Sequence, residues 1–160
     1  MARVLVLVRH ATAGQAPGAP DIDRPLTEAG TKLAREAGEW LHASGVRPDT
    51  VICSTATRAR QTWEAMQSVV SEPLPAVSYD RRVYEGDVDG LIRLVAEDAA
   101  DAETLALVGH NPTMHALVGE LTGAGLERFP AGTVALLHVP VEWVDLTSGS
   151  ATLRDVSQLY

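Results

Sequence analysis

Apolar residues come along this chain in two kinds of run. Arg3 to Val8 is almost unbroken Val and Leu, the pattern of a strand covered on both faces in a parallel sheet. Thr50 to Cys53, Ala76 to Tyr79 and Thr104 to Val108 repeat that pattern, and Thr133 to Val139 and Ala151 to Val156 predict two closing strands. Between them the spacing changes to a helical one. Leu33, Ala34, Ala37, Trp40 and Leu41 make one stripe, opened at Thr27 and closed by Gly45; Trp63, Met66, Val69 and Val70 make a second, with Thr57 as N-cap. Asp87 to Gly90 leads into a short helix with Leu91, Leu94 and Val95 inward. A last helix carries Met114, Leu117, Val118 and Leu121, with Asn111 as its N-cap, Pro112 as its first residue and Gly123 as its C-terminal cap. Ala13 to Pro25 holds three prolines, two glycines and two aspartates between periodic segments, and reads as a loop. Strands alternating with helices predict an α/β fold: a three-layer sandwich with a central, mostly parallel sheet and helices on both faces.

Composition narrows the setting. The 160 residues suit a single domain over 1–160, and 46% hydrophobic with 21% charged residues describes an ordinary globule with a core. A net charge of −8 has the wrong sign for a protein that neutralises a phosphate backbone, so nucleic acid is not the expected partner. The single cysteine, Cys53, excludes an intramolecular disulfide and a multi-cysteine zinc site, and it lies in an apolar strand as an inert thiol. The five apolar residues Val4 to Val8 are too few for a signal core of about 7 residues or a span of about 20, so no membrane is expected and the cytoplasm is the expected compartment.

Candidate chemistry lies where an open α/β sheet forms its sites, just beyond the carboxyl ends of the strands. The first strand exits at Arg9 and His10, the second at Arg58 after four small residues, and the fourth at His110 at the mouth of a helix. Guanidinium groups and helix N-termini both bind phosphate oxygens, so these residues together point to a phosphoryl group. Neither G-x-x-x-x-G-K-[ST] nor a G-x-G-x-x-G after Val8 is present, which argues against a nucleotide-binding loop. Arginines supply the positive charge that phosphoryl transfer needs, and a neutral histidine beside them supplies the nucleophile. On the residues alone that nucleophile is either His10 or His110. His110 and His115 are five apart, the wrong offset for a shared metal face, and His42, His115 and His138 read as structural or surface residues. Arg60 reads as a surface charge, the tryptophans as packing, and Arg24 in the first loop as part of a substrate rim.

Three segments in order, Leu7-Val8-Arg9-His10-Ala11, Ser54-Thr55-Ala56-Thr57-Arg58-Ala59-Arg60-Gln61-Thr62 and Leu107-Val108-Gly109-His110-Asn111, resemble the signature segments of the histidine phosphatase superfamily. The short length and the Arg24-Pro25-Leu26-Thr27-Glu28-Ala29-Gly30 segment are most similar to its small SixA-type phosphohistidine phosphatase branch. The resemblance implies a metal-independent and cofactor-free phosphatase. In it His10 is transiently phosphorylated; Arg9, Arg58 and His110 clamp the phosphoryl oxygens; Asn111 and Arg24 help bind substrate. Ala11 stands where the family motif usually has Gly. Glu85 is the candidate proton donor, with Asp87 and Asp89 competing for the role. An uncertain acid favours a leaving imidazole, which needs a dedicated acid less than an alkoxide does. The expected substrate is therefore a phosphohistidine-bearing protein or a small phosphorylated molecule. Two other functions follow from the same residues: a phosphoglycerate mutase-type transfer, and a phosphate- or phosphopeptide-binding module without turnover.

Overall fold

The computed structural model describes residues 3–70, 72–99 and 101–157. Six strands form one sheet: β1 (Arg3–Arg9), β2 (Thr50–Cys53), β3 (Ala76–Tyr79), β4 (Thr104–Gly109), β5 (Val134–Val139) and β6 (Thr152–Val156), in the order β3-β2-β4-β1-β5-β6. The pairs β1/β4, β2/β4 and β2/β3 are parallel, whereas β5 and β6 return antiparallel at one edge. Five helices connect them: α1 (Glu28–Ala43), α2 (Thr57–Gln67), α3 (Arg81–Glu85), α4 (Val88–Asp98) and α5 (Thr113–Thr122).

The unbroken apolar runs follow from burial on both faces. Along β1, Leu5 and Leu7 enter a core with Leu91, Leu94, Leu117 and Leu121 of α4 and α5. Val6 and Val8 point the other way, into a core with Ala37, Leu41, Trp63 and Met66 of α1 and α2. β4 divides in the same way, Leu105 and Leu107 to the first core and Ala106 and Val108 to the second. Each such fully buried leucine contributes about 1.5–3 kcal/mol by transfer from water. Both faces are thus sealed, and polar chemistry is left to the strand ends.

Helix boundaries depart from the pattern in three places. Thr27 does cap α1, accepting from the Gly30 N–H at 2.9 Å. In α2, however, Thr57 is already helical and Ala56 is the N-cap, because Ser54 Oγ instead takes the Ala56 N–H at 3.1 Å. That helix ends at Gln67, so Val69 and Val70 lie beyond it and are only half buried. Pro112 is the N-cap of α5 and Thr113 its first residue. Asn111 sits one position further out, where its carboxamide accepts from the His115 N–H at 3.2 Å and donates to the Phe129 carbonyl at 2.8 Å. The sequence pattern also passes over α3, which has only five residues and one buried side chain, Val83.

Candidate active site

Parallel pairing fixes the centre of the site. Register places Arg9 beside Gly109 and Cys53 beside Val108, so the residues that follow, His10, His110 and Ser54, leave the sheet side by side. The ladder continues one step past the strands, with His10 N–H on the Gly109 carbonyl and Ser54 N–H on the Val108 carbonyl, both at 2.9 Å. The two imidazole rings then stand 5.1 Å apart between centroids. A cavity of about 370 Å³ opens there, lined by Arg9, His10, Arg24, Arg58, His110 and Asn111 among others. Six residues read from the sequence as site candidates are therefore brought together by the fold.

His10 has a defined tautomer. Its Nδ1 lies 2.7 Å from the Ala11 carbonyl oxygen, which can only accept, so Nδ1 carries the proton and Nε2 the lone pair. Burial, with the charges of Arg58, Arg9 and Arg24, lowers its pKa from 6.5 to about 4 against the opposing bond to Ala11. The ring is a neutral base or nucleophile at neutral pH. His110 is lowered further, to about 3, by burial and then by His10 and Arg58. Its Nε2 lies 2.7 Å from Ser54 Oγ.

Each arginine is anchored at its tip. Arg9 donates from one terminal nitrogen to the Phe129 carbonyl at 3.1 Å. Arg58, only 6% exposed in the first turn of α2, donates to the Asp21 carbonyl at 2.8 Å and to the Asp21 carboxylate at 3.0 Å. Three nitrogens on these cavity residues, Arg9 Nε, Arg58 Nε and His110 Nδ1, are buried without any hydrogen-bond partner. Buried polar nitrogens are rarely left unpaired, and three of them on residues that line one hollow give it the means to bind an anion.

The first loop closes over this hollow. Thr27 N–H bonds the Thr12 carbonyl at 3.0 Å, Gly14 N–H bonds Pro25 at 2.8 Å, and Gln61 of α2 takes the Leu26 N–H at 2.8 Å. Gly30 lets α1 approach that loop, since a Cβ there would meet the Thr12 oxygen at 2.0 Å. The Ala11 methyl is buried with Ala34 and Ala65, and its N–H donates to Thr62 Oγ1 at 3.0 Å, which in turn donates to the Arg58 carbonyl. One α2 threonine thus ties the segment of His10 to the segment of Arg58.

The sequence leaves Asp21 as either part of a substrate rim or a solvated turn; the structure makes it the hub of the rim. Its carboxylate accepts from Tyr84 Oη at 2.8 Å, Arg24 Nε at 2.9 Å and Arg58 at 3.0 Å. These bonds hold its pKa far below the usual carboxylate range, so Asp21 is ionised at any working pH. Tyr84 of α3 also meets the His110 ring in an edge-to-face contact, 5.6 Å between centroids. Ser54 and Thr62 lie at the two ends of the second signature-like segment without being singled out by it, Tyr84 carries no motif, and the one signal for Asp21 is its i,i+3 spacing to Arg24.

The structure does not bring the proposed acids to the cavity. Glu85 is exposed and takes Arg81 Nε at 2.8 Å, and it lines a separate hollow together with Arg82, Asp87 and Arg93. Asp87 is engaged as the N-cap of α4, accepting from Gly90 N–H at 2.8 Å, and Asp89 is exposed on the first turn of that helix. Among the described residues no group of three or more His, Cys, Asp or Glu is arranged to hold a metal ion. No helix among them is long and apolar enough to cross a membrane.

Comparison with known proteins agrees with this geometry. The sequence profile of the histidine phosphatase superfamily (branch 1) matches residues 5–102. An uncharacterized protein of Mycobacterium tuberculosis is 35% identical over 91% of this chain and 96% of its own. A solved structure assigned as the phosphohistidine phosphatase SixA of Nakamurella multipartitia is 40% identical, with a TM-score of 0.89 over 99% of this chain and 96% of that one. Another, assigned as SixA of Agrobacterium tumefaciens, is 30% identical with a TM-score of 0.82 over 98% and 99%.

Proposed function

This chain belongs to the histidine phosphatase superfamily and is a phosphatase; we propose that it acts through a phosphohistidine formed on His10, on a protein phosphohistidine or a small phosphorylated molecule, without a metal. The observation that carries this reading is the triad of unpartnered buried nitrogens, Arg9 Nε, Arg58 Nε and His110 Nδ1, on residues lining one cavity with a histidine whose Nε2 holds a lone pair.

The step balances without a cofactor. His10 Nε2 attacks phosphorus; the bond from phosphorus to the leaving atom breaks, and its electron pair goes to that atom. Water then attacks the phosphohistidine, its oxygen bonds phosphorus, the P–Nε2 bond returns its pair to His10, and the water's protons go to phosphate and solvent. Arg9, Arg58 and His110 stabilise the equatorial oxygens in both transfers, the electrostatic role that dominates phosphoryl transfer.

The choice of leaving group rests on where the carboxylates lie, since among the described residues none that lines the cavity is an acid. Glu85 is turned to Arg81, and Asp21 is held ionised and cannot donate a proton. An alkoxide leaves poorly without a proton donor, whereas an imidazole or ammonium group carries its own proton. That supports a phosphoramidate, such as phosphohistidine, as the preferred substrate. The similarity to two structures assigned as SixA supports the same choice.

The test is an assay of the purified protein, with chelator present, against a phosphohistidine peptide, p-nitrophenyl phosphate and 3-phosphoglycerate, with His10→Ala alongside. Hydrolysis that survives chelator, disappears in His10→Ala and is fastest on the peptide is the expected result. Acid-labile phosphate should be trapped on the wild type and not on the variant. Full activity in His10→Ala overturns the assignment, isomerised phosphoglycerate would make the chain a mutase, and phosphate binding without turnover would make it a binding module.

A further inference from the structure

Ser54 is the first residue past β2, fully buried, and its hydroxyl meets two groups only. The Ala56 N–H donates to Oγ at 3.1 Å, and His110 Nε2 lies 2.7 Å away. The Ala56 amide can only donate, so the Ser54 O–H has one acceptor within reach, the imidazole nitrogen. If His110 Nε2 carried the proton, Oγ would receive two donors and the buried hydroxyl proton would have no acceptor, a state that buried polar groups rarely adopt. The arrangement that satisfies the hydroxyl, the Ala56 amide and Nε2 together has Ser54 donating to a lone pair on Nε2. The proton of a neutral His110 then sits on Nδ1.

His110 Nδ1 is the buried nitrogen that has no partner in the protein and belongs to a residue lining the anion cavity. The two observations meet at one ring: a hydroxyl fixes one nitrogen as acceptor, and the opposite nitrogen is left as a donor with nothing to donate to. We propose that Ser54 is a positioning residue, which fixes His110 as the Nδ1–H tautomer and so turns it into a neutral hydrogen-bond donor toward a phosphoryl oxygen. The two histidines of the site are thereby set in the same tautomer by different means. A backbone carbonyl holds the proton on His10 Nδ1 and frees Nε2 to attack; a serine hydroxyl holds the lone pair on His110 Nε2 and frees Nδ1–H to bind. Burial and the neighbouring His10 and Arg58 keep His110 uncharged, so this device does not depend on an imidazolium.

Ser54 sits in the turn for a physical reason. Accepting from Ala56 N–H pins the hydroxyl's lone pair toward the start of α2, which rotates its proton toward β4 and His110. The same side chain therefore links the segment that carries Arg58 to the segment that carries His110.

The inference rests on the phosphatase reading only for its kinetic arm; its spectroscopic arm stands without turnover. Long-range ¹H–¹⁵N correlation spectra of uniformly labelled wild-type protein, with His110→Gln to assign the ring, should show His110 protonated on Nδ1 alone at neutral pH. In Ser54→Ala that ring should move toward Nε2–H or a mixture, and in Ser54→Cys, which keeps the size and a weak donor, it should move less. A wild-type His110 protonated on Nε2, or doubly protonated, overturns the proposal.

The kinetic arm uses p-nitrophenyl phosphate and a double-mutant cycle. Ser54→Ala should lower kcat/KM about tenfold in the wild-type background, the effect of one hydrogen bond, and should have almost no further effect in His110→Ala. An equal loss in both backgrounds would mean that Ser54 only supports the turn, and would overturn the assignment. Absence of turnover in the wild type would count against the phosphatase reading while leaving the tautomer result to decide this one.

Discussion

The same sheet presents a hollow at each end, and the two differ in how their polar atoms are satisfied. At the carboxyl ends of β1, β2 and β4 the cavity of about 370 Å³ gathers three arginines and two histidines. At the opposite end, where β1 and β4 begin, a cavity of about 340 Å³ is lined by Arg3, Glu97, Asp101, Glu103, Glu142 and Trp143. Volume does not tell them apart. Around the second hollow the Trp143 indole N–H is bonded to the Ala102 carbonyl at 2.7 Å and Arg3 reaches Glu142 at 3.8 Å, and none of its residues has a buried, unpartnered side-chain atom among those described. The first holds three such nitrogens. Unsatisfied buried donors, more than size or shape, distinguish a place that awaits a ligand from a place where the surface merely folds inward.

The largest expected effect tests the functional end directly. His10→Ala should lower kcat on the order of 10⁴-fold or more, as deletion of a nucleophile does. Inorganic phosphate should still raise Tm in that variant, because the arginine clamp remains. Arg58→Ala comes next, with a loss of about 10²–10³-fold in kcat, the scale for removal of one preorganised charge donor. It should also blunt the phosphate-induced rise in Tm seen by thermal denaturation. If Arg58→Ala left both readouts intact, the contrast between the two hollows would lose its chemical meaning. Asp21→Asn should cost about tenfold or less, since it removes the carboxylate from Arg58 and Arg24 while leaving the Asp21 carbonyl on Arg58.

These effects also mark what the sequence makes legible. Arg9, His10, Arg58 and His110 stand at strand exits, and parallel register converts those exits into neighbours in space; strand assignment alone was enough to group them. Asp21 and Tyr84 are different. Asp21 reaches the site through a loop whose path depends on the Ala13–Leu26 bridge and on Gln61, and Tyr84 through a five-residue helix with a single buried position. No periodicity encodes contacts of that kind. Glu85 illustrates the converse: chain position suggested an acid near the site, but i,i+4 pairing with Arg81 on α3 turns the carboxylate outward. The last two strands were expected within a mostly parallel sheet, and their apolar pattern could not distinguish the antiparallel return of β5 and β6 from another crossover.

The pH dependence separates the two ends more finely. His10 is lowered to about 4 by burial and by Arg58, Arg9 and Arg24, so the acid limb of kcat/KM should fall near 4 rather than near 6.5. The two facing histidines titrate as a pair, and the limb reports that pair. The same shift acts on stability. Between 6.5 and about 4 the unfolded chain binds a proton at His10 that the folded chain does not, so stability falls as pH drops through that window and is fully present above 6.5. Adding phosphate should flatten the dependence, since an anion in the cavity raises the affinity of the folded-state histidines for protons and narrows their gap from the unfolded value. An acid limb near 6.5, measured on p-nitrophenyl phosphate, would show that the site is more hydrated than its burial implies.

The smallest effect belongs to the opposite hollow, and its smallness is the point. Glu142 carries a side chain 71% exposed, and its pairing with Arg3 at 3.8 Å is long and open to water. An exposed pair of that kind contributes between about 0 and 1 kcal/mol, because solvent screens the attraction and two side chains lose freedom to make it. Glu142→Gln should therefore shift Tm by no more than about 2 °C and leave kcat/KM on p-nitrophenyl phosphate and on a phosphohistidine peptide unchanged. Arg3→Gln should behave alike, except for a slightly larger loss from its bond at 3.3 Å to the Val141 carbonyl. A tenfold loss of activity in either variant would mean that the two ends of the sheet are coupled through β1, whose residues run from Arg3 to Arg9 without a break. With activity unchanged, the charge at the far end serves the surface alone, and the unpartnered nitrogens at the near end account for the chemistry.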